Sequence, residues 1–292
     1  MSETATRTAV AAVGIPIAVA AMYLGGWVLA ALLALCAVLA ARELFLMAEK
    51  KPARPLHWVG LAGAAGLVAL AAVDPARGID TPLLNAGLVV VIATALTASI
   101  WQRGVAGEPL LSVAVTVFGA VYPALLMFAL FLRHLPERSG DLLSASAGEV
   151  RLHGTAILLF PVVLTWLSDT FAYFAGRLWG KKKLIPRVSP GKTVAGAVGA
   201  IVGTPLAAVG YSIFLQRFPT WQMGLVEALV FGVLVSVAAQ VGDLAESLLK
   251  RDVGVKDSGR LLPGHGGALD RFDSLFFTLP LGYAFFVLVV GR

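Results

Sequence analysis

The chain alternates long apolar segments with short polar connections. Each apolar segment is close to the length of about 20 residues that an α-helix needs to cross the hydrocarbon core of a bilayer. We therefore predict an all-α, polytopic integral membrane protein with about nine transmembrane helices. The predicted spans are 8–24, 25–47, 57–74, 82–100, 109–133, 154–179, 193–216, 223–249 and 272–290.

Composition and charge agree with this interpretation. Of the 292 residues, 58% are hydrophobic and 14% are charged. With nine spans, 17 of the 23 Lys and Arg residues fall on the side of the N-terminus, which the positive-inside rule places in the cytoplasm. The net charge of +6 is thus first a determinant of topology, and no nucleic-acid partner is predicted.

Polar residues divide the chain into two parts. Residues 1–150 contain no cluster of chemically active side chains and are predicted to form transmembrane scaffold helices. Residues 151–292 are predicted to form a transmembrane catalytic domain with cytoplasmic loops at 180–193 and 250–271. The loop 134–153 contains Pro, Ser and Gly and is predicted to connect the two parts outside the membrane.

Three polar residues share one face of the sixth span. Asp169, Tyr173 and Arg177 are spaced four residues apart, so they lie above one another on a helix. Asp169 lies roughly 15 Å from the cytoplasmic end. A carboxylate at that depth is costly unless it faces water, a cation or a partner, which favours either a functional cavity or a structural pair with Arg177 or a neighbouring helix.

The connection that follows has features of an anion site. Ser189, Pro190 and Gly191 predict a turn that places Lys192 and Thr193 at the start of the seventh helix, where backbone N–H groups and the helix dipole favour an anion. This pattern alone is not specific for phosphate. The preceding lysines 181–183 are predicted to set topology and to contact lipid headgroups.

Charge is densest between Gln240 and Asp273. A polar stripe on the eighth helix leads into a glycine-rich loop, and Asp270 and Asp273 lie one turn apart at the start of the ninth helix. Carboxylates near several cations suit Mg²⁺ together with a polyphosphate. A solvated helix cap is the alternative for Asp270, Arg271 and Asp273. The stripe consists of Asp243, Glu246, Ser247 and Lys250.

His265 lies in the glycine-rich loop. It is open to three interpretations: a loop residue, a phosphate contact or an acid/base, of which phosphate contact is favoured. A zinc site is not predicted, because one His without a nearby Cys supplies too few soft ligands.

These motifs closely resemble the signature of the phosphatidate cytidylyltransferases, also called CDP-diacylglycerol synthases. The resemblance covers about residues 155–280. The matching motifs are Ser168-Asp169-Thr170-x-Ala172-Tyr173-x-x-Gly176-Arg177, Ser189-Pro190-Gly191-Lys192-Thr193, Ser247-x-Leu249-Lys250-Arg251, Lys256-Asp257-x-Gly259, Leu262-Pro263-x-His265-Gly266-Gly267 and Asp270-Arg271-Phe272-Asp273.

The resemblance implies a reaction of CTP with phosphatidate that yields CDP-diacylglycerol and pyrophosphate, in a bacterial inner membrane with the active site facing the cytoplasm. It implies Mg²⁺ held by Asp243 and Asp270 with support from Asp273, and leaves open a second cation, either divalent or K⁺. Contacts to the triphosphate or pyrophosphate are implied for Lys250, Arg251, Lys256, His265 and Arg271. Other substrate contacts are implied for Asp169, Tyr173, Arg177, Ser189, Lys192, Thr193, Ser247, Asp257, Gly266 and Gly267.

Two positions depart from the family pattern. Ala195 replaces a Glu or Gln, and Ala268 replaces a bulkier apolar residue. The alternative functions are a CTP-dependent lipid kinase of the polyprenol or dolichol type and an ion-coupled transporter with Asp169 and Asp243 as cation sites. The predicted partners are CTP, phosphatidate and membrane lipids. A homodimer is one alternative for the oligomeric state, which the sequence does not determine.

Overall fold

The computed structural model describes residues 3–138, 146–218, 221, 223–259 and 266–291. Within these residues the chain is mostly α-helical. The helices are α1 (Glu3–Leu24), α2 (Gly26–Ala48), α3 (His57–Ala71), α4 (Pro82–Gln102), α5 (Pro109–Ala124), α6 (Phe128–Arg138), α7 (Ala147–Trp179), α8 (Val194–Leu215), α9 (Leu225–Asp252), α10 (Leu269–Phe272) and α11 (Leu275–Leu288).

The apolar helices have membrane-spanning lengths. Among the described residues, seven helical segments are long and apolar enough to cross a bilayer, with α5 and α6 forming one segment and α10 and α11 another. Two further apolar helices, Ala12–Leu24 and His57–Ala71, are shorter. The prediction of an all-α polytopic integral membrane protein is confirmed, while the count of nine spans and the cytoplasmic N-terminus stay predictions.

The structure differs from the sequence predictions on both sides of α7, which begins within the segment 134–153 that was predicted to be a loop. The helix begins at Ala147 because Ser146 and Glu149 form a reciprocal capping box, which satisfies backbone donors at the helix start. After α7 the chain forms an antiparallel hairpin of β1 (Lys183–Ile185) and β2 (Ser189–Thr193). The prediction of a turn at Ser189, Pro190 and Gly191 is wrong, because these residues pair with β1 as part of β2 and the turn lies before them, at residues 186–188.

The chain forms two compact units. One contains Met1–Phe131 and Asp252–Phe272, and the other contains Leu132–Arg251 and Asp273–Arg292. This division differs from a boundary near residue 150, because the loop after α9 joins the N-terminal helices. A division by sequence order cannot show such a return of the chain.

Helices α2, α3, α4 and α5 form the core of the first unit. The ring of Phe45 on α2 is fully buried and lies where a Cβ on Gly60 or Gly119 would stand. The backbone N–H of Leu56 donates to Thr116 Oγ1 at 2.8 Å. Close packing of this kind fixes α2 against its neighbours and leaves little room for larger side chains.

Helices α7 and α8 pack closely in the second unit. A Cβ on Gly196 would meet the backbone oxygen of Ala172, and a Cβ on Gly199 would meet the side chain of Ala175. Small residues allow helices to approach in this way within a membrane. Helix α11 packs on α7, where the Thr165 hydroxyl donates to Thr278 Oγ1 at 3.0 Å.

Candidate active site

A cavity of about 470 Å³ with several charged residues in its lining lies in the second unit, among α7, the hairpin, α8 and α9. The structure thus brings together residues that are far apart in sequence and that the motifs identify. Its charged and polar lining includes Asp169, Tyr173, Arg177, Lys192, Thr193 and Asp243. Their roles toward a substrate stay predictions.

An ion pair stands at one wall of this cavity. Lys192 Nζ lies 2.8 Å from Asp243 Oδ2, with side chains that are 24% and 33% exposed. Ser247 Oγ donates to Asp243 Oδ1 at 3.2 Å from the next turn of α9. Both carboxylate oxygens of Asp243 therefore have partners, and Lys192 supplies a positive charge beside the cavity.

Three carboxylates influence one another electrostatically in the second unit. The negative charges of Asp243 and Asp273 both act on Asp169, and the positive charge of Lys192 opposes them. Lys250 in turn acts on Asp273. Like charges that converge in a poorly solvated region favour the entry of a cation.

The cavity side of α7 and the start of α8 are set by local contacts. Arg177 donates to Tyr173 Oη at 2.9 Å rather than pairing with Asp169, so these two residues form a polar ladder on one face of α7. Thr193 is the N-cap of α8, and its hydroxyl accepts from Gly196 N at 3.1 Å. The predicted helix start is thus present, but the Thr193 side chain already serves as a cap.

The predicted residues at the end of α9 have structural partners. Lys250 Nζ lies 2.5 Å from Oε2 of the fully buried Glu246. Arg251 Nε donates to the backbone oxygen of Val188 at 3.3 Å, which links the end of α9 to the hairpin. Ser189 begins β2 and is half-buried.

The loop between α9 and α10 belongs to the first unit. Lys256 and Asp257 are exposed, and both line a cavity of about 400 Å³ together with Lys50 of the α2 end. Arg271 is also exposed. These side chains form a second group of charges, separate in sequence from those of the cavity in the second unit.

Asp270 braces this loop through one carboxylate oxygen. Its Oδ2 accepts from Ser258 N, Ser258 Oγ and Gly267 N, each at 2.9 Å. Gly266 has a positive φ of 82°, which a residue with a side chain rarely adopts. The structure thus shows a loop-bracing role for Asp270, while its role as a metal ligand stays a prediction.

Glu43 on α2 is not among the residues that the sequence motifs identify. It is only 4% exposed and accepts hydrogen bonds from Ser258, Ala268 and Leu269. A charged residue within the apolar segment 25–47 is the signal that could have identified it, because an ionisable residue in a membrane span is costly without partners.

His265 lies outside the described residues. Within the described part of the chain, no three His, Cys, Asp or Glu side chains form a group arranged to hold a metal ion. Mg²⁺ is commonly held by one or two carboxylates with waters and substrate phosphates. The assignment of Mg²⁺ to Asp243 and Asp270, with support from Asp273, stays a prediction.

Apolar membrane-crossing helices around a charged cavity define an integral membrane protein with a polar site within its helices. A sequence profile of the Cytidylyltransferase family matches residues 5–289. The chain therefore belongs to this family, which confirms the resemblance noted from the motifs.

Curated relatives match about half of the chain. A Staphylococcus saprophyticus protein named phosphatidate cytidylyltransferase is 47% identical over 133 residues, which are 46% of this chain and 50% of that protein. A Haemophilus influenzae protein of the same name is 39% identical over 138 residues, 47% of this chain and 48% of that protein. The match thus spans about half the length of these relatives.

Proposed function

We propose that this protein is an enzyme that transfers the cytidylyl group of CTP to phosphatidate, with formation of CDP-diacylglycerol and release of pyrophosphate. The observation that carries the proposal is the cavity of the second unit, where Lys192 and Asp243 form an ion pair among apolar membrane helices. The names of the half-length relatives support the same reaction. We place the enzyme in a bacterial inner membrane, with the site open to the cytoplasm.

The chemistry requires little proton transfer. An oxygen of the phosphatidate phosphate attacks the α-phosphorus of CTP, the bond from this phosphorus to the α–β bridging oxygen breaks, and pyrophosphate leaves with that oxygen. The attacking phosphate is already anionic at neutral pH. The main obstacle is the approach of two polyanions, so catalysis depends on positioning and charge neutralisation.

The residues of the cavity suit these two tasks. Lys192 is half-buried beside the cavity and presents its ammonium group to a phosphate oxygen. Arg177 and Tyr173 are held together on one face of α7 and orient a second polar group of the substrate. Apolar helix surfaces on either side accommodate the acyl chains of a lipid substrate.

The carboxylates of the second unit suit a magnesium ion. When bound, Mg²⁺ supplies positive charge to phosphate oxygens during the transfer. Asp243 and Asp273 are the residues of this unit that would hold it. Asp169 adds negative charge to the same region, which increases the affinity of the site for cations.

Position-specific labelling tests the proposed reaction. The purified protein in detergent micelles is supplied with phosphatidate, Mg²⁺ and CTP that is labelled at either the α- or the γ-phosphorus. Transfer of the α-label to lipid, with the γ-label in pyrophosphate, is expected. Transfer of the γ-label to lipid would identify a lipid kinase instead, and no labelled lipid from either CTP would refute the proposal.

A further inference from the structure

The glycine-rich loop of the first unit is held by a carboxylate from a distant helix. Glu43 Oε2 accepts from Ser258 Oγ and from Leu269 N, both at 2.9 Å, and Glu43 Oε1 accepts from Ala268 N at 3.0 Å. Residues 43 and 269 are 226 positions apart in the chain. A buried carboxylate is tolerated when several donors replace its lost water, and this loop supplies three.

Two glycines of the loop fit directly against this carboxylate. A Cβ on Gly259 would meet Cγ, Cδ and Oε1 of Glu43. A Cβ on Gly267 would meet Ser258 Oγ and Glu43 Oε2. These glycines are therefore required for close approach to Glu43, in addition to any bend that they allow in the loop.

Ser258 connects Glu43 to Asp270. Its hydroxyl lies 2.9 Å from both Glu43 Oε2 and Asp270 Oδ2, and its backbone N–H donates to Asp270 Oδ2. A hydroxyl has one hydrogen, so it alternates between the two carboxylates or favours one of them. Loss of Glu43 would thus remove the partner on one side of this bridge and disturb Asp270 on the other.

We propose that Glu43 is a positioning residue for the reaction: its carboxylate holds segments 256–259 and 266–270 in the shape that presents Lys256 and Asp270. This inference rests on the proposed function for the role of the two presented residues. Glu43 itself is buried and acts through the loop. It belongs to a helix outside the motifs that resemble the family signature.

The substitution Glu43→Gln tests this role with almost no change in size. Both carboxylate oxygens face N–H or O–H donors, so the amide NH₂ of Gln would face a donor in either orientation. We expect kcat/KM for CTP to fall about 10-fold, as for loss of a hydrogen bond to a charged group. The KM for CTP should rise while the KM for phosphatidate is unchanged.

Glu49→Gln is the matched control on the same helix. Glu49 lies at the end of α2 and pairs with His57 at 2.7 Å, and its substitution should leave both KM values unchanged. Ser258→Ala removes only the bridging hydroxyl and should raise the KM for CTP by a smaller factor than Glu43→Gln. If Glu43→Gln does not fold, the KM values and the cleavage of Ser258→Ala test the inference by the same criteria.

Limited trypsin digestion measures how readily the loop opens, independently of activity. Cleavage after Lys256 requires local opening of the segment around it, so it should be faster in Glu43→Gln than in the unmodified protein or Glu49→Gln. Mass spectrometry of the fragments identifies the cleaved bond. Unchanged cleavage together with unchanged kinetics in Glu43→Gln would overturn the inference.

Two further outcomes are distinguishable. A fall in kcat with both KM values and the rate of cleavage after Lys256 unchanged would indicate only a smaller fraction of folded enzyme and would also overturn a positioning role. Absence of label transfer by the unmodified protein would refute the proposed function, whereas the cleavage comparison would still decide whether Glu43 holds the loop.

Discussion

The two charged regions of this protein are built in different ways. In the second unit, the charges around the cavity lie on long helices or, for Lys192, on strand β2 of the hairpin, and Asp243 and Ser247 are one turn apart on α9 and hydrogen-bonded. In the first unit, Lys256 and Asp257 lie on a loop, and the shape of that loop depends on Glu43 from another helix. One region is supported by regular backbone structure, and the other by a few side-chain hydrogen bonds.

The difference predicts different consequences of substitution. A helix keeps its course when one side chain changes, because backbone hydrogen bonds within the helix hold it. Substitutions around the cavity should therefore alter chemistry without altering structure. In the loop, the loss of one hydrogen-bond acceptor can change the backbone conformation. Substitutions there should therefore alter substrate binding through a change in the shape of the loop.

The largest effect is expected for Asp243→Asn. The substitution keeps the size of the side chain but removes the charge that pairs with Lys192 and that is predicted to hold Mg²⁺. We expect kcat to fall on the order of 1,000-fold, as for loss of a main electrostatic contact in a polar site. The measurement is transfer of α-labelled CTP to phosphatidate at saturating Mg²⁺.

Asp252→Asn is the control for that substitution. Asp252 is an exposed carboxylate at the end of the same helix and pairs with Lys51 at 3.2 Å, so its loss should leave kcat nearly unchanged. Near-normal activity of Asp243→Asn would contradict the assignment of this residue. An equal loss in both variants would indicate a general effect of charge on α9.

A smaller effect is expected for Lys192→Ala. Removal of the ammonium group leaves Asp243 without its cation and the cavity without a phosphate contact, so kcat/KM for phosphatidate should fall on the order of 100-fold. Lys192→Arg keeps the charge and should recover part of the activity.

Lys181→Ala is the control, at an exposed lysine of the same connection, and should have little effect. Comparable losses of activity in Lys181→Ala and Lys192→Ala would contradict a specific role for Lys192.

Regular spacing explains which parts of the fold and the cavity are predictable from the sequence. Asp169, Tyr173 and Arg177 recur every four residues, and the structure places them along one cavity. The apolar runs likewise predict the helices. The helix start at Val194 agrees with the predicted span, and Thr193 caps it, although a β-strand rather than a turn precedes the helix.

Contacts between distant segments explain what the sequence does not show. Nothing near Glu43 in the chain indicates that its partners are Ser258, Ala268 and Leu269, because these contacts form only after the loop returns to α2. The hairpin at 183–193 is similarly hidden, since its strands are short and β2 contains Pro190 and Gly191, which are rare in strands. The inclusion of residues 252–272 in the first unit depends on the same return of the chain.

The smallest effect is expected at the edge of the loop region, for Lys50→Ala. Lys50 is exposed and lines the same cavity as Lys256, so it adds positive charge where the triphosphate is predicted to bind. An exposed charge contributes up to about 1 kcal/mol, and we expect the KM for CTP to rise about 3-fold at low salt. Because salt screens exposed charges, the difference should disappear at high ionic strength.

The neighbouring Lys51 pairs with Asp252 instead, so Lys51→Ala is the matched control. An equal rise in the KM for CTP in that variant would show that general surface charge, rather than this cavity, attracts the nucleotide.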